Sequence, residues 1–585
     1  MERSQKKEGF ILKICRINMR NKSITYEEVK SEYMALGGRG LTSKIISEEV
    51  DATCHPLGKN NKLVIAPGLL SGSMAPSSGR LSVGAKSPLT GGIKESNAGG
   101  TAAQTLAKLG YKAIIIEDKP DKEELNLIKV TGEGVSIEDA SYLRMKGNYE
   151  TGDILREKFG SKATVMSIGQ AGEMKLSAAS IAVTDTEGHP TRHCGRGGTG
   201  AVLGSKGIKA ILIDSGKTNE VKYHDKDSFM KASRSFSKMI LDHPVSGQGL
   251  PTYGTAVLVN ILNEAGGLPT DNFRNGRFEF AENISGETMY ELINKRKGNA
   301  THACHPGCIM RCSQMYNDEN GDYLTGGFEY ETIWAFGSHC HIKNLDSIAK
   351  MDRLCDDIGI DTIDTGVAVG IAMEGKYIEL GDDKAAIKLV EEVGKGSPIG
   401  RIIGNGAAFT GQAFGTERVP VVKKQALPAY DPRSVKGIGV TYATTPMGAD
   451  HTAGYSVTAN ILGVGGTVDP LKKEGQVDLS RNLQVATAAI DSTGLCLFVA
   501  FAILDNEGAL QEIVNMINAE YNTSIGVADV ITLGQDILKI EKEFNRKAGF
   551  TKAHDRLPEF FNENLEPHNV AFDITDEELD MTLEF

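Results

Sequence analysis

The sequence predicts an α+β protein, with a β-rich N-terminal domain (residues 1–215) followed by two mainly α-helical domains (216–425 and 426–585). Three observations carry that prediction. Seven short apolar runs separated by glycine-rich turns fill the first part of the chain: ILKICRI, KLVIAPG, RLSVGAK, KAIIIED, LNLIKV, TVMSIG and AILIDSG. From about residue 225 the apolar spacing becomes helical, as in DSFMKASRSFSKMILDH and TAVLVNILNEAG. Beyond the proline-bearing segment ALPAYDPR (426–433) lies a third region of loops and helices carrying His451 and Cys496.

Within the β-rich part, GGTAAQTLAKLGY reads as a short helix opened by a glycine pair and followed by a strand. Four glycine-bearing turns, GGRG (37–40), SSGR (77–80), SNAGG (96–100) and GRGGTG (195–200), are expected as loops. Such loops serve either tight β-turns or the close approach of backbone N–H groups to phosphate, and both readings stand. Helical periodicity continues in LDSIAKMDRLCDDIG and in the Ala/Gly-rich run from Thr362 to Leu380. The apolar run LCLFVAFAIL (495–504) is half of what a membrane-spanning helix needs and reads as a buried segment. No solenoid-length repeat is visible.

The 585 residues are 40% hydrophobic and 24% charged, an ordinary water-soluble composition. A formal charge of −12, without any long basic run beyond pieces such as Lys6-Lys7, argues against nucleic acid as a partner. Nine cysteines, an odd number without scaffold-like spacing, indicate a reducing compartment. The charged start MERSQKKEGF lacks the apolar centre of a secretory signal, so a cytoplasmic location is expected.

Cys304, Cys308 and Cys312 in THACHPGCIMRCS, with Cys496 far downstream in DSTGLC, offer four thiolates, the usual complement of a [4Fe–4S] cluster. A helix would string the three thiols along successive turns, too far apart to converge, whereas Pro306-Gly307 predicts a turn. A zinc site using His302 and His305 is the competing reading, although the second Cys or His pair of usual zinc motifs is missing. Thiols of no special role are the third reading. A radical-SAM spacing fits poorly. A short echo links DDIGID (356–361) to DSTGLC (491–496), both of the form Asp-x-x-Gly-apolar-Asp/Cys.

Together these segments resemble the aldehyde:ferredoxin oxidoreductase family, whose members hold tungsten, or molybdenum, between two pterin dithiolenes. From about Gly9 onward the match runs in order through GGRGL, NKLVIAPGLLSGSMAPSSGR, KSPLTG, SNAGG, GRGGTGAVLGSKGIKAI, PTYGTAVLVNI, FEYETIWAFG, LCDDIGIDTI, LPAYDPR and AIDSTGLCLF. A zinc protein is not expected to carry that series.

The resemblance implies a bis-pterin base domain under two helical domains. Arg80, Asn97 and Gly99, and likewise Arg192, His193 and Arg196, match the loops that meet the pterin phosphates and a bridging Mg2+. Asp356, Asp361, Asp491 and Leu495 match the motifs that each grasp one pterin, and Cys496 the fourth cluster ligand. Glu331 in FEYETIW and His451 in GADHTAG match the catalytic acidic residue and histidine. Glu331 is expected as general base and His451 as donor to the carbonyl oxygen.

Three departures stand out. The cluster triplet is C-x3-C-x3-C where well-known members begin C-x2-C, and Ala453 replaces a lysine found in some members. Lys350 and Arg353 replace the Glu-x-x-His pair for a dimer-bridging iron, so no such iron is expected and the oligomeric state is open. The implied function is tungsten-dependent oxidation of aldehydes to carboxylic acids, with electrons passed through one cluster to ferredoxin or a small iron–sulfur subunit. The competing functions are another low-potential reaction of the same cofactor, such as aryl thioester ring reduction, and a non-catalytic electron-transfer protein. The remaining cysteines, Cys15, Cys54, Cys194, Cys340 and Cys355, are expected as packing residues.

Overall fold

A computed structural model describes residues 12–214, 216 and 220–585. The start MERSQKKEGF, with Lys6-Lys7 and Gly9, the first residue of ILKICRI, and Ser215 lie outside the described residues.

Two six-stranded mixed sheets form the N-terminal region. The first comprises β1 (Lys13–Asn18), β2 (Ser23–Glu28), β3 (Leu63–Pro67), β4 (Leu81–Lys86), β5 (Ile93–Ala98) and β6 (Tyr111–Glu117). The second comprises β7 (Asn126–Val130), β8 (Val135–Asp139), β9 (Thr164–Ser167), β10 (Ile181–Val183), β11 (Arg192–Cys194) and β12 (Ile208–Ile213). Their spatial orders are β2-β1-β6-β3-β4-β5 and β11-β10-β9-β12-β7-β8. The second, read from its other edge, repeats the first. In each sheet the pairing of first and last strands (β1/β6, β7/β12) is parallel and every other pairing antiparallel. The base is therefore an internal duplication, which the dissimilar sequences of the two halves conceal.

Side-chain alternation explains why seven strands are nearly continuous apolar runs. Cys15, Ile17, Leu63, Ile65, Leu81 and Val83 face a core shared with Ile128, Met166, Ile181 and Ile211 of the other sheet and with the helices Ala102–Lys108 and Thr199–Ser205. The alternate residues Ile14, Val64, Ala66 and Ile115 pack on the helix Gly38–Glu49 through Leu41 and Ile45. In the second sheet Leu127, Val165 and Leu212 pack with Leu155 of the helix Asn148–Phe159. Strands covered on both faces need apolar residues at both parities.

The remaining strands, β2, β5, β8, β10 and β11, are polar or short and give no such signal. One expectation is corrected: GGRG is not a loop but runs into the helix Gly38–Glu49, with Gly37 as its N-cap. The glycines there permit close packing, since a Cβ on Gly38 would fall 2.1 Å from the carbonyl oxygen of Asp491.

Beyond residue 225 the chain is mainly helical. The expected helices form at Lys226–Asp242, Leu258–Glu264, Leu345–Ile358 and Thr362–Glu374, the last ending at Gly375 rather than reaching Leu380. LCLFVAFAIL forms a short 3-10 turn and the helix Ala500–Asp505, with Val499, Phe501 and Ala502 buried. Among the described residues no helix is long and apolar enough to cross a membrane.

Candidate functional site

The two copies of the Asp-x-x-Gly motif are helix C-termini docked on equivalent strands. Gly359 ends the helix Leu345–Ile358 at φ +73°, and Gly494 ends Gln476–Thr493 at φ +82°, the left-handed conformation that favours glycine. The Gly494 carbonyl accepts from the N–H of Arg80, just before β4, at 3.0 Å. The Gly359 carbonyl accepts from Ser180, just before β10, at 2.9 Å. Two residues on, Cys496 donates its N–H to Ser77 O (2.8 Å) and Asp361 donates to Ala178 O (3.0 Å). Asp361 is thus the counterpart of Cys496 in the other half of the duplication. The leading aspartates are held by the base: Asp491 lies 3.3 Å from Arg39, and Asp356 lies 3.0 Å from Nε2 of His193.

Cys304, Cys308 and Cys312 lie on a turn, with Gly307 at φ +84°, as Pro306-Gly307 predicts. All three thiols and Cys496 are buried. Arg80 Nη2 donates to Cys496 Sγ at 3.2 Å and also feels the charges of Cys304 and Cys312. Burial raises Cys312 well above the usual thiol range, whereas Cys308 is held below it, chiefly by its hydrogen bond with Cys304. Gly99 leaves room beside Cys304, whose sulfur would sit 3.4 Å from a Cβ at that position. Cys15 and Cys194 pack in the core between the sheets, Cys340 and Cys355 in the helical core, and half-buried Cys54 packs against the cluster between the first sheet and the helix Gly38–Glu49.

One cavity joins the thiols to the catalytic candidates, for Cys304, Cys312 and Cys496 line it together with Glu331 and His451. His451 Nε2 lies 3.0 Å from Glu331 Oε1. Tyr430 Oη donates to the same carboxylate (3.1 Å) and is linked to Tyr455 Oη (2.9 Å). Burial opposes both charges, but each partner's charge and their shared hydrogen bond outweigh it, holding Glu331 below the usual carboxylate range and His451 above the usual histidine range. Each partner thus favours the charged form of the other, carboxylate on Glu331 and imidazolium on His451.

The other expected residues are placed as follows. Arg80, Asn97, Gly99, Arg192, His193, Arg196, Asp361 and Asp491 line the same cavity. Arg196 is engaged by Asp361 (3.1 Å), Asp364 (3.3 Å) and the carbonyls of Ala426 and Ala449 (both 2.7 Å). Arg192 donates to Gly326 O at 2.8 Å. Asp356 stands behind His193, and Leu495 packs in the core beneath the cavity. Arg353 lies over the Tyr149 ring, its guanidinium 3.2 Å from the centroid.

Sequence reasoning missed Lys94 and Glu95 on β5 and Asp450, Tyr430 and Tyr455 beyond residue 425. Lys94 pairs with Asp450 (3.3 Å), keeping that carboxylate ionised against its burial. Burial and the neighbouring Asp491 push Glu95 up to about 8. Nothing in IKESNA itself announces that this strand is buried at every residue but Asn97, and charge is buried at such cost only for a partner.

Several buried polar atoms here find no hydrogen-bond partner among the described residues: Nε of Arg80, Nδ2 of Asn97, Oε1 of Glu95 and Nδ1 of His451. Unsatisfied donors and acceptors in one cavity fit a polar, hydrogen-bonding cofactor, and four buried thiols near enough to feel one another's charge fit an iron–sulfur cluster.

Fold, paired motifs and cavity define an oxidoreductase of the aldehyde ferredoxin oxidoreductase family, and the chain belongs to it. Residues 14–215 match the family's N-terminal domain and residues 231–584 its domains 2 and 3. It is 37% identical over 580 residues to a tungsten-containing aldehyde ferredoxin oxidoreductase of Pyrococcus furiosus, covering 95% of this chain and 92% of that one. It is also 37% identical over 578 residues to the enzyme so described from Thermococcus kodakarensis, with the same coverage. The WOR-like subunit of an aliphatic sulfonate oxidoreductase of Pyrococcus furiosus is 27% identical, covering 72% of this chain and 71% of that one. Among solved structures, the active site complex of a benzoyl coenzyme A reductase shares the fold, with a TM-score of 0.76 at 18% identity over 98% of this chain and 93% of that one.

Proposed function

We propose that this protein oxidises aldehydes to carboxylic acids with a tungsten bis-pterin cofactor and passes the electrons through one [4Fe–4S] cluster to a ferredoxin or small iron–sulfur protein in the cytoplasm. The observation that carries the reading is the Glu331–His451 ion pair, 3.0 Å across, in the cavity lined by Cys304, Cys312 and Cys496. Cys304, Cys308, Cys312 and Cys496 would hold the cluster. Arg80, Asn97, Gly99, Arg192 and His193 would meet the pterin phosphates and a bridging Mg2+, and Asp361 and Asp491 the pterin edges. The tungsten centre, when bound, supplies the two-electron acceptor.

Conversion of an aldehyde and water into a carboxylic acid releases two protons and two electrons. Ionised Glu331 accepts the proton of the attacking water. The His451 imidazolium donates a hydrogen bond to the aldehyde oxygen, stabilising negative charge as it develops there. Tyr430, fixed between Glu331 and Tyr455, holds the carboxylate in place through its hydroxyl. Retention of both members of the pair favours aldehyde chemistry over ring reduction of an aryl thioester.

Elemental analysis of anaerobically purified protein, combined with aldehyde-dependent reduction of a viologen dye, tests the reading. About one tungsten and four irons per chain with turnover is the expected result. Iron without tungsten or pterin would favour a non-catalytic electron carrier, and zinc alone would overturn the cluster assignment.

A further inference from the structure

A second cavity, of about 530 Å³, lies at the edge of the first sheet, outside the site described above and lined by none of the residues assigned there. Its volume is that of an ordinary small-molecule site. Met34, Pro67, Leu69, Tyr111, Val221 and Tyr521 give it an apolar, partly aromatic wall. Set into that wall are two buried opposite charges, Lys112 (5% exposed) and Glu520 (8% exposed), while a second opposite pair, Glu28 and Lys222, lines the cavity on its exposed side.

The two buried groups do not neutralise one another. Each feels the other's charge, yet they form no ion pair. Lys112 Nζ donates once, to the carbonyl of Met34 at 3.1 Å. Among the described residues, Glu520 Oε2 is buried with no hydrogen-bond partner. Burial pushes Glu520 up to about 8 and draws Lys112 down to about 8, shifts that their mutual attraction and a hydrogen bond between Tyr521 and Glu520 only partly oppose. Burying such groups with so little compensation is costly, and a ligand that brings an anion to Lys112 and a cation to Glu520 would offset that cost.

We propose that this cavity binds an α-amino acid with an apolar side chain, its carboxylate on Lys112, its ammonium on Glu520 and its side chain against Tyr111 and Tyr521. A zwitterion adds no net charge to the buried site, whereas a simple acid or amine would answer only one of the two groups. The cavity is joined to the helix end beside the redox site by two hydrogen bonds. Tyr521 donates to the carbonyl of Leu69 (2.5 Å), and the N–H of Leu69 holds Ser492 O (3.1 Å) on the helix end that carries Asp491.

Isothermal titration of the anaerobically purified full-length protein with L-phenylalanine tests this inference. Saturable binding of one molecule per chain is expected. 3-Phenylpropionate, which lacks the ammonium, and phenethylamine, which lacks the carboxylate, should each bind at least about tenfold more weakly, a difference of about 1.4 kcal/mol. Glu520→Gln and Lys112→Gln should each cost a similar factor while retaining metal content. Absence of saturable heat would overturn the proposal. So would equal binding of 3-phenylpropionate and phenylalanine, or affinity unchanged in both variants. Should a variant fail to fold, the three ligands compared on the unaltered protein decide the matter, and aldehyde oxidation by that same sample reports separately on the redox reading.

Discussion

Glu331 and His451, carried on different helical regions, meet at 3.0 Å in a cavity lined by three of the four candidate cluster thiols. Each is half-buried, and each is kept charged by the other against the cost of burial. The contact makes the two residues one unit, and their substitution effects should not add.

Glu331→Gln preserves shape and the hydrogen bond from Tyr430 but removes the proton acceptor. Turnover should fall by about 10²–10⁴-fold, with tungsten and iron content unchanged. Steady-state dye reduction and elemental analysis on the same sample check this, and unaltered turnover would remove Glu331 from the mechanism.

The pH profile of kcat/KM should be bell-shaped. Glu331 is held below its ordinary value of 4.5, so activity is lost only as pH falls beneath that value and the carboxylate protonates. His451 is held above 6.5, so activity is lost as pH rises past that value through its raised pKa. The stabilising effect of the pair has the same limits, lost on the acid side through Glu331 and on the alkaline side through His451. His451→Gln should abolish the alkaline limb; a limb that persists would belong to another group.

Cys496→Ser should lower iron below about four per chain and abolish the low-temperature electron paramagnetic resonance signal of a reduced [4Fe–4S] cluster. Cys15→Ser, in the core between the sheets, should leave both unchanged. Equal iron in the two variants would dismiss Cys496 as a ligand.

Gly359→Ala and Gly494→Ala should each cost about 1–3 kcal/mol through a left-handed backbone and a blocked approach. The new Cβ would lie 2.8 Å from Gly169 N in the first variant and 2.5 Å from Ser71 Oγ in the second. Both should lower the thermal midpoint by calorimetry. Gly494→Ala should also lose iron, since Cys496 follows it, whereas Gly359→Ala should keep iron and lose tungsten.

Much of this was legible in the chain. Strands buried on both faces, such as KLVIAPG and KAIIIED, announce themselves through apolar continuity, and the turn at Pro306-Gly307 follows from local chemistry. The strand β5 was not legible, because its burial is set by partners far off in sequence, Asp450 and Asp491, rather than by its own residues. The duplication was hidden for a related reason: strand order is held by backbone hydrogen bonds, which leave the side chains free to diverge. The six-residue echo between DDIGID and DSTGLC was its one visible trace, and only the paired docking of Gly359 and Gly494 gives that echo a cause.

The base domain is two-fold in its backbone but not in its chemistry, for Cys496 in one half stands where Asp361 stands in the other. In the proposed holoenzyme the two pterins would be cradled alike, yet a single sulfur-bearing flank would offer charge an outlet, and the opposite carboxylate flank would act as an insulator. Current drawn from the substrate then has one direction of travel, so a soluble acceptor need recognise only one side of the molecule.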